Sequence, residues 1–480
     1  MITGKDLSSA FLNSLIYKAI SFLVSFLSSV MVFRYFSPDL RGEIAILLAP
    51  ILLIQIGLFD SGVKVLDLIS KDLKLNQKNN FTSLWSSYYL KFFSALIFAF
   101  LLYFFGPKLA EFYGLGARKE IYTLCSILLI LNFLNGPLDI NVLQATNKFK
   151  ELRIYGIIES FVPFFSIAMT ILWKGSLEMY IYLYIASKLL LLPYSWYLIL
   201  KSPFLKYFSK IKYKEILNLF SFTVPLWIAS FIAFGSSQYI PLMSGLFFDF
   251  EVIGIMSLAL GLTFMFISIL SALDSFSLSK ANENSRLSTN IYRSKINYLL
   301  RYWQLLFCLS SLLSITVFLL SNTLVNIIGG AEYNKASEIL RWLCILISLK
   351  PLGILRIVIY ISESTEKIAL YSLHKLILEV GFIICFFYFF GPSGVAFGLA
   401  LAFFYYGFLL ANFTIKQDKL FKLIIFNILK NHLFIASVLL LINLITLVSF
   451  SGYIFCGFFL FYLIFILNAK KEKFLRILKT

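Results

Sequence analysis

Long apolar runs follow one another along almost the whole chain, parted by short polar segments that hold most of the charge. A helix needs ~20 mainly apolar residues to cross the hydrocarbon layer of a bilayer. In lipid every backbone polar group must also be satisfied inside the protein. The runs therefore predict membrane-spanning helices near residues 10–33, 44–66, 84–105, 121–141, 154–173, 179–200, 216–246, 251–279, 300–321, 336–361, 368–390, 393–415, 430–449 and 451–468. That is about fourteen spans in an all-α polytopic membrane protein. The first run, Ala10 to Phe33, is too long for a signal-peptide core and has no small-residue cleavage site, so a retained helix is expected.

Charge between the runs tests this division. With a cytoplasmic N-terminus, about 28 Lys and Arg fall in cytoplasmic segments and about 7 on the opposite side. The seven are Arg34, Arg41, Lys108, Arg118, Lys119, Lys174 and Lys335. This asymmetry predicts an even number of spans with both termini cytoplasmic. It also gives the net charge of +18 a topological reading, so no nucleic-acid partner is expected.

Composition narrows the class further. Of 480 residues 60% are hydrophobic and only 14% charged, whereas soluble domains carry about 25% charged residues. The surplus apolar surface must face lipid. Five scattered cysteines and two histidines, His374 and His432, offer neither a disulfide framework nor a metal site. No phosphate-binding G-x-x-x-x-G-K-[ST] loop is present. No cofactor is expected. The longest predicted non-cytoplasmic loop, Gly106 to Glu120, is too short for a catalytic site, and its Glu111 and Glu120 read as solvated surface.

The chain reads as two halves. Residues 1–200 hold six spans, 201–215 form a basic linker, 216–415 hold six more, and 416–480 add two spans and a basic tail. The linker carries Lys201, Lys206, Lys210, Lys212 and Lys214 interleaved with Phe204, Phe208 and Ile211, the pattern of a basic interfacial helix. Phe36-Ser-Pro-Asp-Leu-Arg-Gly-Glu43 and Phe248-Asp-Phe-Glu-Val-Ile-Gly-Ile255 occupy equivalent loops, with Gly42 and Gly254 at a shift of 212. Asp60 corresponds roughly to Asp274 and Pro137 to Pro351; Lys148 maps to Lys367 and Gly175 to Gly394, both at a shift of 219. Repeats of the same direction are a transporter architecture with the path between the halves.

Three stretches carry a family resemblance over residues 8–468: Arg34 to Ile44, Phe248 to Ser279, and Gly329-Gly-Ala-Glu-Tyr333 followed by Ala336, Pro351, Lys367 and Gly391-Pro-Ser-Gly394. In these the chain resembles the O-antigen (Wzx-type) flippases of the multidrug/oligosaccharidyl-lipid/polysaccharide (MOP) superfamily. The resemblance implies two six-helix bundles like those of multidrug (MATE) antiporters, with two further C-terminal helices. It implies a non-enzymatic transporter of the bacterial inner membrane that moves undecaprenyl-diphosphate-linked oligosaccharide by alternating access. Membrane lipids and other polysaccharide-assembly proteins are the implied partners. A drug/cation antiporter and an O-unit polymerase are the rival readings. A net basic interior and the lack of a large outer loop disfavour them respectively.

Charges inside spans are costly, ~2.5–3.5 kcal/mol each, and are default functional candidates. Lys18 and Asp60 fall at similar depth on spans one and two. Either they line the cavity with Lys18 meeting a substrate phosphate, or they pair and fix packing. Lys350, Lys375 and Glu379 fall near mid-membrane on spans ten and eleven, where a buried pair or triad is favoured over a cavity or cation-coupling site. Lys188 on span six lies at mid-depth with no partner at its own level, which favours a cavity location; Glu159 on span five lies nearer the cytoplasm, at the edge of its reach. Arg356 and Asp274 fall near the cytoplasmic surface, where snorkelling is cheap. The substrate-cavity candidates are Lys18, Lys188, Lys350 and Arg356; the ion-coupling or ion-pair candidates are Asp60, Asp274 and Glu379.

Overall fold

The computed structural model describes residues 4–57, 81–134, 149–201, 240–285, 291–353 and 365–417, with isolated positions between 213 and 232 and at 355. The side chains of residues 4–19 and 271–302 lie outside that description. All secondary structure among the described residues is helical. In chain order the helices are α1 (Gly4–Tyr35), α2 (Pro38–Gly57), α3 (Phe81–Phe112), α4 (Lys119–Leu134), α5 (Phe149–Leu172), α6 (Leu177–Lys201), α7 (Phe250–Ser285), α8 (Ile291–Leu319), α9 (Ser321–Ile328), α10 (Ala336–Leu349) and α11 (Thr365–Gln417). Helices α1 to α6 overlap predicted spans one to six, with the ends of spans two (58–66) and four (135–141) outside the described residues; α7 overlaps span eight, and α11 spans eleven and twelve. Most of span seven and the linker at 201–215, with spans thirteen and fourteen, lie outside the described residues.

By length and composition, four described stretches can cross a bilayer: Phe92–Phe112, Ile154–Leu172, Phe250–Leu270 and Lys367–Thr414. A bent pair, Leu306–Leu319 with Ser321–Ile328, makes a fifth. Their apolar side chains point outward as lipid requires. Helix α3 exposes Phe93, Ile97, Phe100 and Phe104 at helical spacing along one face, and α6 exposes Tyr182, Leu189, Leu190, Trp196 and Tyr197 along one of its own.

The chain divides into two compact units, Met1–Gly254 and Ile255–Thr480. The division falls inside α7, beyond the linker where the sequence sets the boundary. In the first unit α1 packs on α5, α5 on α6, α6 on α4, and α4 on both α3 and α2. Its main core joins Ile44, Ile46, Leu47 and Ile51 of α2 to Tyr122, Cys125 and Leu129 of α4 and Ile181 and Ile185 of α6. In the second unit α8 packs on α10, and α10 on α11 through Trp342 against Phe397 and Leu352 against Gly407. Spans three, four, five and six thus pack as 3–4, 4–6 and 5–6. Spans nine to twelve pack as 9–10, 10–12 and 11–12, the same order of neighbours.

Helix α11 is two spans joined by a left-handed turn at Gly391 (φ 58°), followed by Pro392. Only glycine adopts that conformation without steric cost. Its arms then touch backbone to backbone: a Cβ on Gly394 would lie 2.0 Å from the Phe386 carbonyl oxygen, and one on Gly398 lies 2.8 Å from the Ile383 nitrogen. The Gly394-x-x-x-Gly398 spacing provides this approach. Span ten departs from the continuous helix predicted at 336–361. After α10 the chain tightens into a 3-10 turn at Lys350–Gly353, because Pro351 lacks an N–H and its ring opposes the α-helical carbonyl four residues back. Span nine, predicted at 300–321, ends with α8 at Leu319; from there the chain bends by 70° into α9, whose Val325 and Ile328 are buried while Asn322, Thr323 and Asn326 face outward. Gly330 (φ 83°) then turns the chain, and Tyr333 is fully buried against Gly329.

The α1–α2, α3–α4 and α5–α6 connections meet at one end of the first unit, here called the rim. Arg118, in a 3-10 turn before α4, reaches Glu43 of α2 at 2.6 Å and also bonds Glu178 of α6. The Tyr35 hydroxyl donates to the Gly175 carbonyl at 2.9 Å. Partial burial alone raises the Glu178 carboxyl. Hydrogen bonds from Ser176 and its own backbone N–H, with the Arg118 guanidinium, outweigh burial and hold it below the usual carboxylate range. The start of α7 crosses the start of α2 at the rim without side chains between them. A Cβ on Gly42 would lie 1.9 Å from the Phe250 carbonyl oxygen, and one on Gly254 the same 1.9 Å from that of Pro38. Pro38 and Phe250 are themselves equivalent at the 212-residue shift, so the contact is a local two-fold.

Two predictions follow from the rim. Gly42→Ala and Gly254→Ala should each cost about 2 kcal/mol or more, read as a lower melting temperature in detergent. Gly261→Ala, where no neighbour stands within 4 Å, should leave it unchanged. The Glu178 carboxylate, with its lowered pKa, contributes stability above its unfolded value of about 4.3 and loses it as pH falls through the folded value. The melting-temperature gap between wild type and Glu178→Gln should therefore be full at pH 7 and close as the medium is acidified below about pH 4.

Candidate functional site

Three groups of polar side chains interrupt the apolar interior. The first lies between the arms of α11. Lys367, Tyr371, Lys375 and Glu379 recur every four residues and so share one face of the first arm. Lys375 Nζ stands 3.1 Å from Glu379 Oε2, and both side chains are excluded from solvent. Lys375 also sits over the Phe403 ring at 4.1 Å, and Lys367 over Phe413 at 4.6 Å. Ser372 and Tyr406 hydroxyls share a 3.4 Å hydrogen bond alongside. The ring faces carry negative quadrupole density toward the ammonium groups, replacing part of the lost hydration. Removing one partner of such a pair costs about 3–5 kcal/mol, because the other is left charged in a low-dielectric interior.

The second group lies at the break in span ten. Ala336 to Lys350 is 14 residues, which places Lys350 about 21 Å from the start of α10. Serines of α8 donate to α10 carbonyls there: Ser314 to Cys344 at 2.6 Å, and Ser310 to Ser348 at 3.4 Å. Lys350 is half-buried and folds over Gly353, its Nζ 3.8 Å from where a Cβ would stand. A cation at the C-terminal end of a helix is favoured by the exposed carbonyls.

The third group is the seam of α5 and α6 in the first unit. Lys188 Nζ meets Glu159 Oε1 at 3.1 Å and lies 6.0 Å from the Tyr184 ring centroid. One turn away Ser166 and Ser187 share a 3.4 Å hydrogen bond. Lys188, read from the sequence as lacking a partner at its depth, is thus paired, because Glu159 of the neighbouring helix reaches it.

Lys350, Lys375 and Glu379, read from sequence as one level, divide between two places: Lys375 pairs with Glu379 along α11, and Lys350 sits at the break in span ten. Lys18 lies on α1 and Asp274 on α7, with side chains outside the described residues. Asp60 and Arg356 lie outside them altogether. Among the described residues no cluster of His, Cys, Asp and Glu could hold a metal ion. Sequence reading missed Arg118, Glu43 and Glu178 as a cluster. The available signal was their charge: all three fall in connections assigned to the same side of the membrane.

The fold is shared with solved transporters. The lipid II flippase MurJ in an inward closed conformation superposes with a TM-score of 0.66 at 17% identity, covering 96% of this chain and 99% of that one. An inward-facing multidrug resistance MATE family transporter of the MOP superfamily gives 0.61 at 14%, covering 86% and 99%. The eukaryotic MATE transporter AtDTX14 gives 0.63 at 13%, covering 91% and 98%. No curated protein matches the chain in sequence. The sequence profile of the polysaccharide biosynthesis protein family matches residues 31–338, well over half the chain. With that match and the MOP-superfamily fold beneath it, the chain belongs to the polysaccharide biosynthesis protein family.

Proposed function

We propose that this protein is a flippase that carries undecaprenyl-diphosphate-linked oligosaccharide repeat units across the bacterial inner membrane for O-antigen or other surface polysaccharide assembly. Lys350 carries the reading: a half-buried cation at a helix break, about 21 Å along span ten, in a fold shared with a lipid II flippase. Interrupted helices at mid-membrane are where transporters of this kind build their binding sites. A diphosphate stripped of water needs cations in a low-dielectric cavity. Lys18, Lys188, Lys350 and Arg356 are the proposed cavity cations, with Lys350 foremost for its place at the turn in span ten.

In this reading both termini are cytoplasmic and the rim is extracytoplasmic. Two six-span bundles, 1–200 and 216–415, rock about the substrate path, while 416–480 flank them. The lipid tail stays in the bilayer as the sugars cross. The protein performs no enzymatic step. Asp60, Asp274 and Glu379 are the proposed ion-coupling acids, with Glu379 the weakest of them, because Lys375 holds it in a sealed site.

A second reading has a specific observation behind it: MATE multidrug transporters superpose on this chain about as well as the flippase does. Resistance to cationic dyes separates the two. Deleting the gene should trap the lipid-linked oligosaccharide on the cytoplasmic face of right-side-out and inverted vesicles probed for sugar, with dye resistance unchanged. Lys350→Gln should restore transport about tenfold or more less well than wild type, since a charge-assisted hydrogen bond contributes about 1.5–3 kcal/mol. Normal delivery of the oligosaccharide to the outer face in the deletion strain would end the flippase reading.

A further inference from the structure

Helix α6 presents an inconsistency between position and exposure. Its lipid face is marked by the exposed Tyr182, Leu189, Leu190, Trp196 and Tyr197. The opposite face carries the buried Leu177, Ile181, Leu191, Ser195 and Leu198. Tyr180 and Tyr184 belong by helical spacing to that inner face, one turn apart and in line with Lys188 a further turn on, yet both stay half-exposed. Helix α5 repeats the pattern. Its lipid face runs through Ile154, Ile158, Phe161, Phe165 and Leu172. Glu159 lies on the opposite face, among the buried Tyr155, Val162 and Ser166, and keeps 40% of its side chain accessible. Two helices thus leave open surface where packing should have closed it. That surface is polar and aromatic, and it faces away from lipid.

The open strip is ordered. Phe36 stands edge-on to Tyr180 at 6.2 Å, and Tyr180 is tilted against Tyr184 at 6.3 Å. Lys188 follows, tied to Glu159 at 3.1 Å. It begins at the rim and, 11 residues into α6, ends about 16 Å deep. A cavity that served only the diphosphate would gain from bare cations. Here the lysine is already neutralised, and the partly accessible side chains beside it are a carboxylate and two tyrosines that pack on the core of the first unit. Sugars carry the matching chemistry. Their C–H faces are apolar and weakly positive and stack on the negative face of an aromatic ring. Their hydroxyls donate to carboxylate and phenol oxygens.

We propose that Tyr180, Tyr184 and the Glu159–Lys188 pair form a saccharide-binding track on the inner face of the α5–α6 seam, which holds the glycan part of the translocated substrate. The proposal rests on the flippase reading and concerns the glycan part of the cargo alone.

The test compares two cargoes in proteoliposomes of the full chain: undecaprenyl diphosphate bearing only its first sugar, and the same carrier bearing the whole repeat unit, each extracted from a strain blocked at that step. The quantity read is the ratio of whole-unit to single-sugar transport. Tyr184→Ala should lower this ratio about tenfold, the loss of roughly one stacking contact. Tyr184→Leu keeps apolar bulk without a ring and should lower it as well, which guards against a folding failure in the alanine variant. Tyr184→Phe should restore the ratio, and Glu159→Gln should lower it. Equal losses on both cargoes, leaving the ratio unchanged in the folded variants, would make the strip a packing feature and overturn the proposal. If wild type moves neither cargo, the flippase reading itself fails, and the saccharide track falls with it.

Discussion

A charge inside a bilayer has no water to fall back on, and most of the polar architecture here answers that constraint. Where an ammonium group is sealed from solvent, as in Lys375, a carboxylate one turn along and an aromatic face stand in for its hydration shell. Lys188 draws Glu159 and borders Tyr184. Where the chain leaves the apolar layer, Arg118 sits between two carboxylates at the junction of three connections. The apolar majority packs by shape alone, so these few contacts decide which helices are neighbours and in what register. The resulting ion pairs add less to stability than their strength suggests, because each stands against a desolvation cost of similar size. Their value lies in specificity.

The two units solve equivalent problems with different chemistry. Each packs its spans in the same order. The first binds its connections by charge, through Arg118, and keeps a partly accessible ion pair, Glu159 with Lys188, between α5 and α6. The second seals the equivalent seam between spans eleven and twelve with a buried pair and carries Lys350 at the 3-10 turn in span ten. The order of packing is common to both units while the polar side chains within it differ.

Helix positions were largely readable from hydropathy. The first six predicted spans overlap α1 to α6 throughout the described residues, because a lipid solvent makes the apolar run itself the structural signal. What hydropathy did not convey was interruption. The run at 336–361 is apolar but for scattered charges such as Lys350 and Arg356, and Pro351 is the hint that the α-helix stops before it. The bend into α9 has no local mark at all, since eight residues of mixed character take their direction from packing against α10. Among site residues, Lys375 with Glu379 followed from spacing, whereas Lys188 read as unpaired because Glu159 lies nearer the cytoplasm along its own helix. The rim cluster did not, because Glu43, Arg118 and Glu178 are 75 and 60 residues apart and belong to different connections. Gly42 and Gly254 were identified as repeat equivalents, yet nothing in the sequence said that they touch.

That contact differs in kind from its neighbour at the rim. The Arg118 cluster is built of ionised groups, so protons and salt in the surrounding medium reach its strength. Where α2 crosses the start of α7 there is only backbone, a carbonyl oxygen against a methylene on each side. Nothing there titrates, oxidises or is screened. The same end of the unit therefore holds one fastening that responds to its surroundings and one that ignores them. A change outside the membrane can loosen the connections around Arg118 and leave the helix crossing as it was.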